Sequence, residues 1–203
     1  MKLEGKVGDQ KLSDGSDSTL RLSRNGALVT GNGHAEHETA VLEGDVYIGA
    51  NAGGTPVTTQ AGLSATTPAL TLYNPTGSGV NLILMTVTVD ITTAPAAAAG
   101  LMLAYNTAST TAPATTTAAT VTNALLGTAK QPNGQCYRIA TLGAAPVAIR
   151  FIGGTTGAAA ISGVQLIDKV NGEIIIGPGV AVSIQATSAA AILASFSWEE
   201  EPL

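Results

Sequence analysis

Aromatic and charged side chains are what this sequence has least of: one Trp, four Tyr and two Phe in 203 residues, with nine basic and fourteen acidic groups. So few basic groups, on a chain of net charge -5, exclude a protein that coats nucleic acid, since phosphate binding needs a positive field. The single Cys136 excludes an internal disulfide, and its place in an alternating pattern marks it as a small buried hydrophobe. Long apolar runs are missing too. The charge-free stretch 174–198 is broken by Gly177-Pro178-Gly179 and by recurring Ser and Thr, so no membrane helix is expected. The polar start, Met1-Lys2-Leu3-Glu4-Gly5-Lys6, carries no secretory signal pattern.

Sites of chemistry are equally thin. Both histidines lie in His34-Ala35-Glu36-His37-Glu38, where the spacing is three and the Glu is misplaced for a zinc protease, so the segment reads as polar surface and no metal is assigned. Gly153-Gly154-Thr155-Thr156-Gly157 lacks the Lys of a phosphate loop and reads as a turn. Asp168 and Glu173 could form a carboxylate pair, but a surface position beside Lys169 is the simpler reading. No catalytic constellation and no cofactor site emerge, and the chain is read as a non-enzyme. A sugar-binding lectin would want exposed aromatics; Tyr73 beside Asn74 and Tyr105 beside Asn106 are the best placed for it.

What the chain has in quantity is small residues: 34 Ala, 27 Thr and 24 Gly. Val, Ile, Leu and Phe number 48, enough for one core. The charges are segregated. Sixteen of the 23 fall in residues 1–45 and 199–201, leaving seven for positions 46–198. A body so poor in charge is expected to hide much of its surface against other chains.

The first part reads as an extended arm, assigned to 1–55, because glycines interrupt every candidate helix and apolar residues come singly or in pairs. Such a segment cannot offset the ordering cost of its own backbone, about 1–2 kcal/mol per residue, and should order only against something else. The remainder, 56–203, follows a period of two. In Leu82 to Ile91 one face reads Ile83, Met85, Val87, Val89, Ile91, and the preceding Leu70 to Tyr73 joins it through Asn74 to Gly79 as a predicted hairpin. Asn171-Gly172, between Gln165–Val170 and Glu173–Ile176, predicts a second hairpin. Strands are also expected at Leu101–Asn106, Cys136–Leu142, Val147–Phe151, Val180–Ile184 and Ile192–Trp198, with the rest of Ala94–Thr122 as loop. Eight to ten short strands and no helix predict an all-β fold, an antiparallel β-sandwich or jelly roll with an extended N-terminal arm. Ile192, Phe196 and Trp198, with Ile83, Met85, Val87 and Val89, are assigned to the core or a subunit interface.

The sequence Arg21-Leu22-Ser23-Arg24-Asn25-Gly26-Ala27-Leu28-Val29, then Gly31-Asn32-Gly33-His34, Glu38-Thr39-Ala40-Val41 and Gly44-Asp45-Val46-Tyr47, resembles the arm of a group of virion-associated proteins from tailed bacteriophages. The resemblance extends through Tyr73 to Leu82, Asn123 to Gly127, Gly177-Pro178-Gly179 and Phe196 to Pro202, covering most of the chain in collinear order. Ala27 and Glu36-His37-Glu38 depart from the pattern and bear on partner details. The resemblance implies a jelly-roll capsid decoration, or cement, protein. It would be made in the host cytoplasm, bind the major capsid protein on the outer virion surface, and be commonly a homotrimer, with neither nucleic acid nor membrane as partner. Arg21, Arg24, Leu28, Val29, Val41 and Tyr47 are the expected partner contacts of the arm, the arginines through two-pronged pairing to carboxylates. The alternative is a head-fibre or tail-associated adhesin that binds a host surface glycan through loops 74–79 and 106–122.

Overall fold

The computed structural model describes residues 36–51, 54–106, 112–157 and 164–203. The chain divides into two units, Met1–Glu38 and Thr39–Leu203. Of the expected arm contacts, Arg21, Arg24, Leu28 and Val29 lie outside the described residues, as does His34.

Among the described residues one short helix, α1 (Glu38–Glu43), precedes β1 (Val46–Ala50), β2 (Val57–Thr58), β3 (Thr71–Tyr73), β4 (Val80–Thr93), β5 (Ala99–Asn106) and β6 (Ala114–Ala118). There follow β7 (Thr120–Asn123), β8 (Gln135–Thr141), β9 (Val147–Thr155), β10 (Val164–Ile176), β11 (Ala181–Ala186) and β12 (Ala191–Pro202). All pairings are antiparallel. Sheet 1 has the order β10-β4-β12-β1-β7 with β2 beside the start of β12; sheet 2 has the order β6-β8-β3-β11-β5-β9. The two six-stranded sheets pack face to face as an all-β antiparallel sandwich.

Alternation makes the core. In β12, Ile192, Ala194, Phe196 and Trp198 are buried, while Leu193, Ser195, Ser197 and Glu199 between them are only partly covered. They meet Leu82, Leu84, Val87, Val89 and Ile91 from β4 and Leu72, Leu101, Leu103 and Ile184 from sheet 2. Close backbone approach is exploited at Gly49, where an added Cβ would stand 2.7 Å from Cys136 Sγ.

Several local expectations are corrected. The segment 46–50, placed in the arm, is an inner strand of sheet 1 between β12 and β7. Helix α1 was not expected; it ends in a Schellman cap, with Gly44 at φ +78° and the Gly44 and Asp45 amides donating to Val41 O and Ala40 O, both at 3.0 Å. Leu70–Tyr73 and Leu82–Ile91 do not form a hairpin, because β3 pairs with β8 and β11 in sheet 2 while β4 lies in sheet 1. Asn74 to Gly79 is instead an arch between sheets, anchored by Asn74 Nδ2 donating to Val80 O and Ile176 O, both at 2.8 Å. The apolar face of β4 changes hands midway: Met85 is an extra residue against β12, so Leu82 and Leu84 point inward before it and Val87 and Val89 after it. Met85 is buried, whereas Ile83 falls outside the core cluster and is half-buried. Asn171-Gly172 likewise makes no hairpin. Both residues have positive φ, yet the flanking segments continue along β4 as one strand, and Val170–Glu173 is a bulge opposite Met85. Within the expected loop Ala94–Thr122, β5 starts at Ala99, and β6 and β7 carry the chain from sheet 2 to sheet 1 through Ala119.

Candidate interaction surface

A sandwich has two open sides where sheet ends meet. One is closed by the β6–β7 crossing; on the other, β9 and β10 are the last strands of their sheets and have no further strand beside them among the described residues. Arg150 of β9 bridges that side. Its Nε donates to Asp168 Oδ2 at 2.8 Å and its Nη2 to Asp168 Oδ1 at 3.0 Å, while Nη1 donates to Glu173. The hydrogen bonds to Asp168 and then Glu173 raise the pKa of the guanidinium, fixing its charge. The two carboxylates read from the sequence are therefore partners of one arginine, not an acid and base flanking a reaction centre.

Both strands that supply this cluster also expose apolar side chains. β9 exposes Val147, Ile149 and Phe151, and Phe151, at 77%, is the one largely exposed residue of the seven aromatics, all of which are described. β10 exposes Ile167 and Ile175. A cleft of about 350 Å³, lined by Tyr105, Ile149, Ile174, Ile175, Val180 and Val182 with Glu173 at its rim, opens here. Large apolar side chains exposed on both edge strands, with a charged cluster between the strands, mark this side as a candidate interaction surface.

A second polar centre lies at one end of the sandwich and holds the chain together. Glu200 is only 6% exposed; its carboxylate accepts from Asn133 N and Nδ2 at 3.0 Å each, Gly134 N at 2.8 Å and Trp198 Nε1 at 3.3 Å. This pins the loop between β7 and β8. Lys130, from the same loop, pairs with Asp45, and that hydrogen bond raises the ammonium pKa. Charge alone does not separate Glu200 from Glu199 and Glu201, but it continues the buried Ile192 to Trp198 alternation at the next inward position.

The remaining expected site residues separate by burial. Tyr47, assigned to partner contact, is 1% exposed and stacks on Trp198 with ring centroids 5.9 Å apart, so it belongs to the core; burial, then the charge of Glu200, raises its phenol pKa. Val41 sits in α1, half-buried. Val87, Val89, Ile192, Phe196 and Trp198 are all buried. Tyr73 and Asn74, the favoured sugar contacts, are buried and cannot offer a stacking face, and Asn106 is buried with Nδ2 donating to Ala144 O at 2.6 Å. A shallow depression of about 280 Å³ on sheet 1, lined by Thr88, Asp90, Gln165 and Ser195, has no aromatic wall.

Among the described residues no group of three or more His, Cys, Asp and Glu is placed to hold a metal, and no helix is long and apolar enough to cross a membrane. Cys136 is buried, and that burial pushes its thiol pKa far up. No protein-family model, curated protein or solved structure matches this chain.

Proposed function

We propose that this chain is a structural virion protein of the capsid decoration type, which binds the outer surface of a phage head as an oligomer and stabilises it. The observation that carries the reading is the exposure of Phe151 and Val147, large apolar side chains of the edge strand β9, on the side of the sandwich where neither sheet has a further strand among the described residues. Isolated soluble domains seldom leave large apolar side chains uncovered on an open edge strand. A body with seven charges between residues 46 and 198 fits the same need for covering, as does the resemblance of Arg21 to Val29, Tyr73 to Leu82 and Phe196 to Pro202 to the phage group. Adhesion would then work by apolar burial, about 25 cal/mol per Å², repeated over several contacts per particle. Arg21, Arg24, Leu28, Val29 and Val41 remain the proposed capsid contacts of the arm; Tyr47 is withdrawn from that set because its ring is enclosed. The jelly-roll variety of sandwich and the three-fold association belong to the same proposal.

The glycan adhesin loses one of its two candidate aromatic contacts with the burial of Tyr73, while Tyr105 is half-buried. Co-sedimentation with empty heads of the cognate phage tests the decoration reading: the protein is expected to pellet with heads and to raise their disruption temperature, and Phe151→Ser with Val147→Ser to weaken both. Failure of the wild-type protein to bind heads would overturn it.

A further inference from the structure

The exposed face of β10 is self-complementary. Exposure along this strand falls on every second residue, Gln165, Ile167, Lys169, Asn171, Glu173 and Ile175, with the residues between them covered. About Asn171 the exposed set is symmetric in kind: Lys169 and Glu173 stand two residues to either side, and Ile167 and Ile175 four to either side. Both isoleucines are largely exposed, at 60% and 59%.

We propose that β10 pairs antiparallel with β10 of a second copy about a two-fold axis at Asn171. In that register each Lys169 stands opposite the second copy's Glu173 and each Ile167 opposite its Ile175, so every exposed charge meets its opposite and every exposed isoleucine meets another. Cross-strand pairs of opposite charge and of β-branched residues are the combinations that stabilise antiparallel edges, and an isologous contact repeats each pair. No other strand occupies the far side of β10 among the described residues, so its backbone groups there are available to a partner. Glu173 is held in place by Arg150, which orients its carboxylate at the edge before a second copy arrives. The bulge Val170–Glu173 interrupts the ladder at the axis, so Glu173 meets Lys169 from the last position of the bulge, and the ladder itself forms between residues 166–168 of one copy and 174–176 of the other. An edge that carries a lysine and a bulge resists indiscriminate strand addition, so the contact selects a partner able to answer the lysine in register.

This contact goes beyond capsid binding and stands apart from any three-fold association. Charge reversal tests it. Lys169→Glu and Glu173→Lys each put like charges opposite one another at both symmetric positions, and each is expected to weaken the dimer about tenfold or more in sedimentation equilibrium. Mixing the two variants restores every attractive pair, so the mixture is expected to form a heterodimer that neither forms alone. Circular dichroism melts separate this from misfolding, and Lys169→Ala, which leaves the Arg150 cluster intact, is expected to weaken the dimer less than Lys169→Glu. A wild-type protein that is monomeric or only trimeric, single reversals that associate as the wild type does, or a mixture that fails to pair would each overturn the proposal. Head binding by a protein with no β10 dimer would sink this contact while leaving the decoration reading standing.

Discussion

Single positions in this core are constrained by atoms, not by residue class. Gly49 lies under Cys136 and Trp198, and a Cβ there would meet Cys136 Sγ at 2.7 Å and Trp198 Cζ3 at 3.1 Å. Gly49→Ala should cost about 1–3 kcal/mol by overpacking. Combining it with Cys136→Ala, which removes the nearest clashing atom, should return part of that loss, and urea denaturation of the two single variants and the double variant measures the coupling. The same thiol predicts a pH effect. Burial raises Cys136 above its ordinary value of 9.0, and Tyr47 and Tyr137 above 10.0, so in alkali the folded protein keeps protons that the unfolded chain releases. Stability should be complete below about pH 9 and fall as pH climbs past the ordinary values. Melting temperatures taken from about pH 8 to 10.5 should decline, and Cys136→Ala should decline less steeply over that range; equal slopes would remove the thiol from the account.

Among the elements, the loop between β7 and β8 depends on one carboxylate. Glu200→Gln keeps the shape but turns an amide toward four donors, and should cost about 2–3 kcal/mol. Hydrogen exchange at the Asn133 and Gly134 amides should accelerate in that variant more than exchange in β4 or β5. Strand identity was legible where polarity alternates, as in β8, β11 and β12, because a period of two is a property of the residues themselves. Strand partnership was not. Asn171-Gly172 takes positive φ in a bulge just as it would in a hairpin, and turn-forming residues at 74–79 serve an arch between sheets as well as a turn within one. The exchange of faces at Met85 is set by the register against β12, which no stretch of β4 contains. The exposed strip of β9 had a visible signal in Val147, Ile149 and Phe151, but its sharing of an open side with β10 comes from the strand order alone.

At the scale of the molecule, the second compact unit begins at Thr39, before β1 and earlier than the arm assignment of 1–55. Deleting residues 1–35 should leave a folded sandwich with a cooperative melt. Extending the deletion through residue 50 removes the strand joining β12 to β7, together with Tyr47, and should abolish that melt; circular dichroism and gel filtration distinguish the two. The arrangement of sheet 1 also sets a timetable. Among the described strands β12 comes latest in sequence, yet it lies between β4 and β1 and also receives β2, so three strands made much earlier share a late-arriving neighbour. On the ribosome β1 can pair with β7 and β4 with β10, but these two pairs have nothing to join them into one sheet until β12 arrives, and the isoleucine- and valine-rich edge of β4 must wait in water or in the care of a chaperone. Completion is then a single late event, so shortened translation products should be degraded or aggregate, and should not accumulate as partial sandwiches.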